Sequence, residues 1–314
     1  MKPRVIVTAP THPMLEEGLR ERGYEVDIRE QISYKELTEV IGAYAGMIVS
    51  TRLNIDAAML SNANDLKWIG RLGSGMEIID VDFARSRNIH CISSPEGNCG
   101  PVGEHCLGML LSLMHHITLA SNQVANGIWS REPNRGIELR GKTVGIIGYG
   151  HTGSSFGRLL EPFGVRVLAV DKYKKGFAAG YVEEASPERI LSEADVISFH
   201  LPLTAETTYY ADDAFFAGLK KTPFLINASR GGVVSTDALI GALDAGRIAA
   251  VALDVLENED LSSYTPAEKV RFQQLVSRKN VLITPHIAGY SRESLYRMPA
   301  VILEKLDEFS ASNS

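Results

Sequence analysis

Short apolar runs separated by amphipathic stretches set the organisation of this chain. Arg4 to Ala9 reads as a strand, Met14, Leu15 and Leu19 mark a helix, and Tyr24 to Ile28 is a second strand. The alternation continues through a helix over Tyr34–Tyr44, a strand from Gly46 to Ser50, a helix over Ala57–Asn62 and a strand from Trp68 to Leu72. Strands alternating with helices in units of about 20–30 residues predict a parallel sheet with helices on its faces. The first part of the chain therefore reads as a doubly wound α/β domain of its own.

A long helix is expected next, from Gly100-Pro101 to about Gln123, with Pro101 in its first turn. Leu107, Leu110, Leu111, Met114, Ile117 and Leu119 give it an apolar surface that suits either a core or a second subunit. Asn126 to Arg140 is rich in turn residues yet carries Trp129. Alternation then resumes with strands at Thr143–Ile147, Arg166–Val170, Val182–Ala185, Val196–His200, Phe224–Asn227, Ala250–Leu253 and Val281–His286. Helices are expected over Pro187–Ser192, Thr236–Ala245, the second half of the charged segment Glu257–Lys279, and Arg292–Phe309.

Lys142 to Asp171 is the most informative stretch. The apolar strand ending at Ile147 runs directly into Gly148-Tyr149-Gly150-His151-Thr152-Gly153, and a helical run then carries Phe156, Leu159, Leu160 and Phe163 along one face. A second strand ends in Asp171, roughly 20 residues past the glycines, which is the layout of a dinucleotide-binding unit. Gly148 allows the sharp turn, Gly150 lets backbone approach a pyrophosphate, and Gly153 lets helix and strand pack closely. The helix N-terminus offers unpaired N–H groups to the phosphates. Asp171 would accept hydrogen bonds from ribose hydroxyls and repel a 2′-phosphate, which favours NAD over NADP. Lys172, Lys174 and Lys175 pull the other way, since a cation there could meet that phosphate; the alternative for them is solvated surface.

Four strands end in a reactive or orienting side chain: Asp171, Arg230, Asp254 and His286, with Glu259 shortly after Asp254. Taken singly, Arg230 reads as a surface ion pair, His286 as a packed or capping histidine and Glu259 as a solvated acid. Delivered together to one edge of a sheet that binds a dinucleotide, they make a hydride-transfer site, with the histidine trading a proton and the guanidinium fixing a carbonyl or carboxylate. Gly73-Ser74-Gly75, after the strand from Trp68, exposes backbone N–H groups suited to a carboxylate, or is simply a tight turn. His12, His90, His105, His115, His116, His151 and His200 lack such placement and read as structural on these grounds.

Length and composition narrow the classes. A chain of 314 residues favours two domains over one, and a formal charge of −6 argues against a dedicated nucleic-acid or anionic-membrane binder. No apolar run approaches membrane-spanning length, and the N-terminus enters a strand rather than a signal sequence. Cys91, Cys99 and Cys106 form no CxxC pair, so reduced thiols in a cytoplasmic protein without a metal site are expected.

The order RLGSGMEIIDVDFARSRNI, GNCGPVGEH, ELRGKTVGIIGYGHTG, HLPLTAETT, LINASRGGVVSTDAL, ALDVLENE and LITPHIAGYS, spread over nearly the whole chain, resembles the D-isomer-specific 2-hydroxyacid dehydrogenase family. The resemblance implies two parallel-sheet domains, with a Rossmann NAD-binding domain (95–289) inserted into a flavodoxin-like substrate domain (1–94 plus 290–314), and a cleft that closes on binding. It implies that Arg230 clamps the substrate carbonyl and carboxylate, that His286 is the acid/base, and that Glu259 hydrogen-bonds the imidazole and favours its protonated form. Amides of Ser74 and Gly75 would hold the carboxylate. Asp254 would bind the nicotinamide carboxamide, while Gly148, Gly150, His151, Thr152, Gly153, Asp171, Ala228 and Gly289 would hold the rest of NAD, with His200, Pro202 and Thr207 on the adenine side. Members of the family usually form homodimers, here through the 100–136 region.

The implied activity is the NAD-dependent interconversion of a 2-keto acid and a D-2-hydroxy acid. Candidates are 3-phosphoglycerate oxidation and glyoxylate or hydroxypyruvate reduction; a non-catalytic NAD-sensing, corepressor-like scaffold is the alternative from another class. A formate-dehydrogenase-like activity is disfavoured, since that branch normally carries Gln at the Glu259 position. Departures from the family pattern bear on these choices. Ser50 stands where phosphoglycerate-type enzymes usually carry Arg, although Arg52 lies two places on and could meet a phosphate. His151 replaces a frequent Arg, Gly103 an Ala, and Asp260 a Pro. A regulatory C-terminal domain is not expected in a chain of this length.

Overall fold

A computed structural model describes residues 2–312. Met1–Cys99 together with Tyr290–Ser314 form one unit, and Gly100–Gly289 form the other.

The first unit is built on five parallel strands, β1 (Arg4–Val7), β2 (Glu25–Ile28), β3 (Gly46–Val49), β4 (Trp68–Arg71) and β5 (His90–Ser93), in the order β2-β1-β3-β4-β5. Every residue of β3 and β4 is buried, as expected of strands with helices on both faces. The intervening helices are α1 (Met14–Glu21), α2 (Tyr34–Val40), α3 (Ala57–Ser61) and α4 (Val81–Ser86). Neither α4 nor β5 was expected from the sequence pattern. Both are short, and His90-Cys91-Ile92-Ser93 has too few apolar residues to announce a strand; pairing with β4 makes it one.

The second unit begins inside α5 (Pro95–Met114), followed by α6 (Ile117–Ala125). The sequence predicted one helix starting near Pro101, and this needs correction at both ends. The helix starts earlier, so Pro101 lies inside it rather than in its first turn. It also breaks after Met114, where His116 takes a left-handed φ of 54°. The Met114 carbonyl accepts the Ile137 N–H at 2.9 Å, and a Cβ on Gly136 would lie 2.9 Å from that same oxygen. The returning segment thus occupies the place where the helix would have continued.

Seven parallel strands follow: β6 (Thr143–Ile147), β7 (Arg166–Val170), β8 (Val182–Glu184), β9 (Val196–Phe199), β10 (Phe224–Asn227), β11 (Ala250–Leu253) and β12 (Val281–Ile283). Their order is β12-β11-β10-β9-β6-β7-β8, so chain direction across the sheet reverses at β6. That reversal is the switch point where open α/β sheets bind ligands. The covering helices are α7 (His151–Leu159), α8 (Pro187–Glu193), α9 (Asp213–Gly218), α10 (Thr236–Asp244) and α11 (Pro266–Val276). Helix α9 was also missed by the sequence pattern; its Asp212 cap accepts the Phe215 N–H at 2.9 Å.

The closing helix α12 (Arg292–Ser312) belongs to the first unit, where Ile302, Leu303 and Leu306 share a core with Leu15 and Leu19 of α1. Each such buried side chain contributes roughly 1.5–3 kcal/mol. A Cβ on Gly18 would come within 2.4 Å of the Leu303 side chain, so α1 and α12 approach closely because that position carries none.

Candidate active site

Because all seven strands of the second unit are parallel, their carboxyl ends share one edge. Reading along that edge from β12, the residues that follow each strand are His286, then Asp254 and Glu259, then Arg230, then His200, then the Gly148 turn, then Asp171. Residues spread over more than a hundred positions of sequence are thereby lined up by strand order alone.

His286 sits in a left-handed conformation with φ 54°, unusual for a residue other than glycine. Its imidazole Nδ1 lies 2.8 Å from Glu259 Oε2. An ionised carboxylate only accepts, so Nδ1 carries the hydrogen and Nε2 is left to exchange a proton. Both side chains are accessible, at 41% and 43% of their surface. The backbone beneath is fixed by Asp254, which is 1% exposed. Its main-chain oxygen accepts the His286 N–H at 2.7 Å, and its carboxylate accepts the N–H groups of Ile287 (3.0 Å) and Ala288 (2.8 Å). Thr284 Oγ1 donates to Asp254 Oδ1 at 2.5 Å and lies 3.0 Å from His105 Nε2. His105 and Thr284 were not singled out from sequence; they are 179 positions apart, and nothing local marks their meeting.

Arg230 leaves the end of β10 in a turn organised by Asn227, which is fully buried. Asn227 Oδ1 accepts the Ser229 N–H at 3.1 Å and its amide donates to the Arg230 carbonyl at 2.9 Å. The half-buried Arg230 side chain donates through Nη1 to the Ser229 carbonyl at 2.7 Å. A Cβ on Gly231 would lie 1.9 Å from the Leu256 carbonyl, so this turn is pressed onto the segment leading to Glu259. That segment is braced by its own polar groups: the Asp260 N–H donates to Asn258 Oδ1 at 3.0 Å, a bond that proline at this position would lose.

The glycine turn behaves as its residue types demand. Gly148 has φ 94°, and a Cβ there would meet the His200 carbonyl at 2.3 Å. A Cβ on Gly153 would lie 2.0 Å from the Gly148 oxygen, whereas one on Gly150 would meet nothing within 4 Å. The space at Gly150 is thus open for a ligand, while the other two glycines are needed by the fold itself. Gly150 caps α7 without a side-chain bond, so the cap itself satisfies no first-turn N–H group through a side chain. These features fit a dinucleotide pyrophosphate. Asp171 accepts from the Tyr149 N–H (2.8 Å) and from the Tyr173 and Lys174 N–H groups (2.9 Å each), tying the turn to the end of β7. Lys172 forms an ion pair with Glu206.

His200 is buried, with Nε2 2.9 Å from Ser198 Oγ and Nδ1 3.2 Å from Thr152 Oγ1. Burial pushes its pKa down to about 3, so the ring is neutral. It joins β9 to the first turn of α7. Pro202 and Thr207 follow in an exposed loop closed by Thr207 Oγ1 donating to the Pro202 carbonyl at 2.6 Å, while Ala228 and Gly289 belong to the Arg230 and His286 turns. Burial also pushes the thiols of Cys91 and Cys106 up to about 11 and about 12, so neither supplies a thiolate nucleophile near neutral pH.

In the first unit, Ser74 and Gly75 follow β4. Their N–H groups have no hydrogen-bond partner among the described residues, while Ser74 Oγ donates to Asn98 Oδ1 at 2.9 Å and Gly73 is held by Ser94 Oγ at 2.9 Å. Arg52 donates to the carbonyls of Ile32 (2.7 Å) and Thr8 (3.2 Å) and has no ion-pair partner among the described residues.

Residues 107–288 match the model of the family described as D-isomer specific 2-hydroxyacid dehydrogenase, NAD binding domain. The chain is 33% identical over 305 residues to D-3-phosphoglycerate dehydrogenase of Archaeoglobus fulgidus, covering 96% of this chain and 56% of that protein. It therefore spans just over half the length of that relative. It is 30% identical over 277 residues to hydroxypyruvate reductase of Thermotoga maritima, covering 88% of each. The solved structure of D-lactate dehydrogenase from Aquifex aeolicus with NAD and lactic acid matches with a TM-score of 0.82 at 26% identity, covering 98% of this chain and 96% of that one. By sequence, fold and the order of its site residues, this chain belongs to the D-isomer-specific 2-hydroxyacid dehydrogenase family.

Proposed function

We propose that the protein is an NAD-dependent oxidoreductase that interconverts a 2-keto acid and a D-2-hydroxy acid. The observation that carries this reading is the His286–Glu259 pair at 2.8 Å on the sheet edge that also holds Arg230 and the Gly148 turn. Amides around Gly150, with the Asp171 carboxylate beyond them, hold the dinucleotide. Asp254 Oδ2, which accepts the Ala288 N–H, keeps a second lone pair for the nicotinamide carboxamide. When bound, the reduced nicotinamide supplies a hydride to the carbonyl carbon.

The protein's own groups handle the rest. The Ser74 and Gly75 amides hold the substrate carboxylate, and Arg230 holds the carbonyl oxygen and polarises it. His286 gives that oxygen a proton from Nε2 as negative charge develops on it. Glu259 keeps the ring oriented through Nδ1 and opposes the positive charge left on the imidazolium before transfer. Charge placed where it is needed only as the alkoxide forms accelerates the reaction more than ground-state contacts do. In the oxidative direction the same Nε2 takes the proton back.

Two features bear on substrate. Arg52, fixed by two carbonyls and without an acidic partner among the described residues, offers a cation to a distal phosphate, which favours 3-phosphohydroxypyruvate. Ser50, a neutral side chain two positions earlier, leaves glyoxylate and hydroxypyruvate as the alternative substrates. Turnover of a panel of these acids with NADH and with NADPH tests the proposal. Tight NADH binding without turnover of any would instead favour the sensing scaffold. The first unit serves as substrate domain in this reading and the second as cofactor domain.

A homodimer through the 100–136 region is part of the same proposal. It is supported by Ile117, Val124, Ile128 and Trp129, which are 52–81% exposed on and after α6. Sedimentation of the intact chain and of a Trp129→Glu variant tests it. A cytoplasmic setting is supported by the three free cysteines. No helix among the described residues is long and apolar enough to cross a membrane.

A further inference from the structure

The geometry points to His105 as a positioning residue for the reaction, acting through Thr284 and Asp254 on the turn that carries His286; this rests on the function proposed above. The three side chains form a directed chain of hydrogen bonds. Asp254 is 1% exposed, and its carboxylate can only accept, so the Thr284 hydroxyl at 2.5 Å must donate to it. A hydroxyl has one hydrogen. With that hydrogen committed, Thr284 Oγ1 is an acceptor toward His105 Nε2 at 3.0 Å, so Nε2 is the donor in that contact. The same nitrogen also lies 3.5 Å from Asp254 Oδ1.

What the chain acts on is the backbone of the His286 turn. Asp254 accepts the N–H groups of His286, Ile287 and Ala288, the first through its main-chain oxygen and the other two through its carboxylate. These three bonds hold His286 at φ 54°, a conformation that a residue with a Cβ leaves unless its surroundings hold it. If Asp254 rotates, two of the three are lost. Thr284 and His105 are the side-chain groups that oppose such rotation.

His105 is itself well anchored. It lies within α5, next to Cys106, which is fully buried, and one turn before Met109, which is 4% exposed. Met109 Sδ sits 3.7 Å from Thr284 Oγ1, so the hydroxyl is enclosed between the helix and the end of β12. In this partly buried setting the chain stiffens its members only when every link is made. Helix α5 therefore acts as a fixed post, and His105 transmits its rigidity to the acid/base histidine without touching substrate or cofactor.

The experiment compares His105→Phe, which keeps ring volume but has no donor, His105→Gln, which keeps a donor, Thr284→Val, and the double variant His105→Phe/Thr284→Val. Four quantities are read on the intact protein: kcat and KM with hydroxypyruvate and glyoxylate, the NADH Kd by fluorescence, and deuterium uptake at the amides of residues 286–288. Each single apolar variant should lower kcat by about five- to tenfold, the loss of one net hydrogen bond, leave the keto-acid KM unchanged, and weaken NADH by less than it lowers kcat, since Asp254 is also the proposed carboxamide ligand. Uptake at 286–288 should quicken in the same variants. The double variant should be no worse than either single, because one chain is cut once or twice, and His105→Gln should recover both rate and protection. Unchanged uptake in His105→Phe, losses that multiply in the double variant, or a glutamine variant as poor as phenylalanine would each overturn the assignment. A wild-type protein that turned over no keto acid would sink the proposed function, while deuterium uptake would still decide the role of His105.

Discussion

Glu259 and His286 meet at 2.8 Å although they follow neighbouring strands, β11 and β12, by different lengths of loop. The contact depends on His286 turning back in a left-handed conformation while the Glu259 loop is stiffened by Asn258 and Asp260. The contact occupies Nδ1 and puts a carboxylate beside the imidazole, so in the proposed reaction Nε2 is the nitrogen that exchanges a proton.

Removing only the charge of that neighbour should show what it contributes. In Glu259→Gln the amide oxygen can still accept from Nδ1, so the ring keeps its orientation but loses electrostatic support as it passes through the imidazolium. We expect kcat for keto-acid reduction to fall about tenfold, against about 10²–10⁴ for His286→Asn, which removes the acid/base group. Neither substitution should change the NADH Kd. A glutamine variant as fast as the wild type would leave Glu259 without a part in the chemistry.

Gly150 and Gly153 look equivalent in the sequence motif but should respond to the same change in opposite ways. An added Cβ at Gly150 meets nothing, and its φ of −76° suits alanine. Gly150→Ala should therefore keep stability within about 1 kcal/mol while weakening NADH, because the methyl group stands where the pyrophosphate approaches. At Gly153 the methyl group would lie 2.0 Å from a backbone oxygen that no rotamer change can move. Gly153→Ala should destabilise the second unit by about 1–3 kcal/mol. Urea unfolding and NADH titration of both variants separate the two roles; equal losses of stability would contradict the assignment.

These two glycines also show how much of the site was legible beforehand. Where placement depends on residue type at fixed local spacing, as for the glycine turn and the acid after β7, the sequence pattern located both. The shared edge of the candidate residues after β10, β11 and β12 was legible for a similar reason, since a parallel sheet sends every strand's last residue to one side. The rest depends on contacts that no local pattern records. The break in α5–α6 is imposed by Gly136 and Ile137 pressing on Met114, more than twenty residues away in sequence. Helix α4, strand β5 and helix α9 are too short to show a period. The family resemblance implies a cofactor role for Asp254, and its carboxylate also accepts the Thr284 hydroxyl and the Ile287 and Ala288 N–H groups.

Cofactor choice should hinge on Asp171 and the lysines after it. The Asp171 carboxylate accepts three backbone N–H groups, Lys175 Nζ donates to the Asp171 main-chain oxygen at 3.2 Å, and Lys172 is engaged by Glu206. Replacing Asp171 with Ser removes the charge that would repel a 2′-phosphate, and Glu206→Gln frees Lys172 to attract one. The ratio of kcat/KM for NADH over NADPH should drop about tenfold for the first change, with a further drop when both are combined. A ratio unmoved in the double variant would show that selectivity lies elsewhere.

His200 should leave a mark on stability as a function of pH. Its pKa is held down to about 3 by burial, against 6.5 for a free histidine. Above pH 6.5 the ring is neutral in both folded and unfolded chains and has no effect. As pH falls below that value, the unfolded chain takes up a proton that the folded chain refuses, so stability is lost progressively until the folded pKa is reached. The slope contributed by this one group approaches about 1.4 kcal/mol per pH unit. His200→Gln retains hydrogen-bonding atoms but cannot titrate. Its urea midpoint should therefore fall less steeply than that of the wild type on going from pH 6.5 to pH 4, a range set by the same pair of values. Carboxylates titrate alike in both proteins, so the difference between the two curves isolates the imidazole. Parallel curves would mean that the ring is protonated in the folded state, and that the junction of β9 with α7 opens to water in that range.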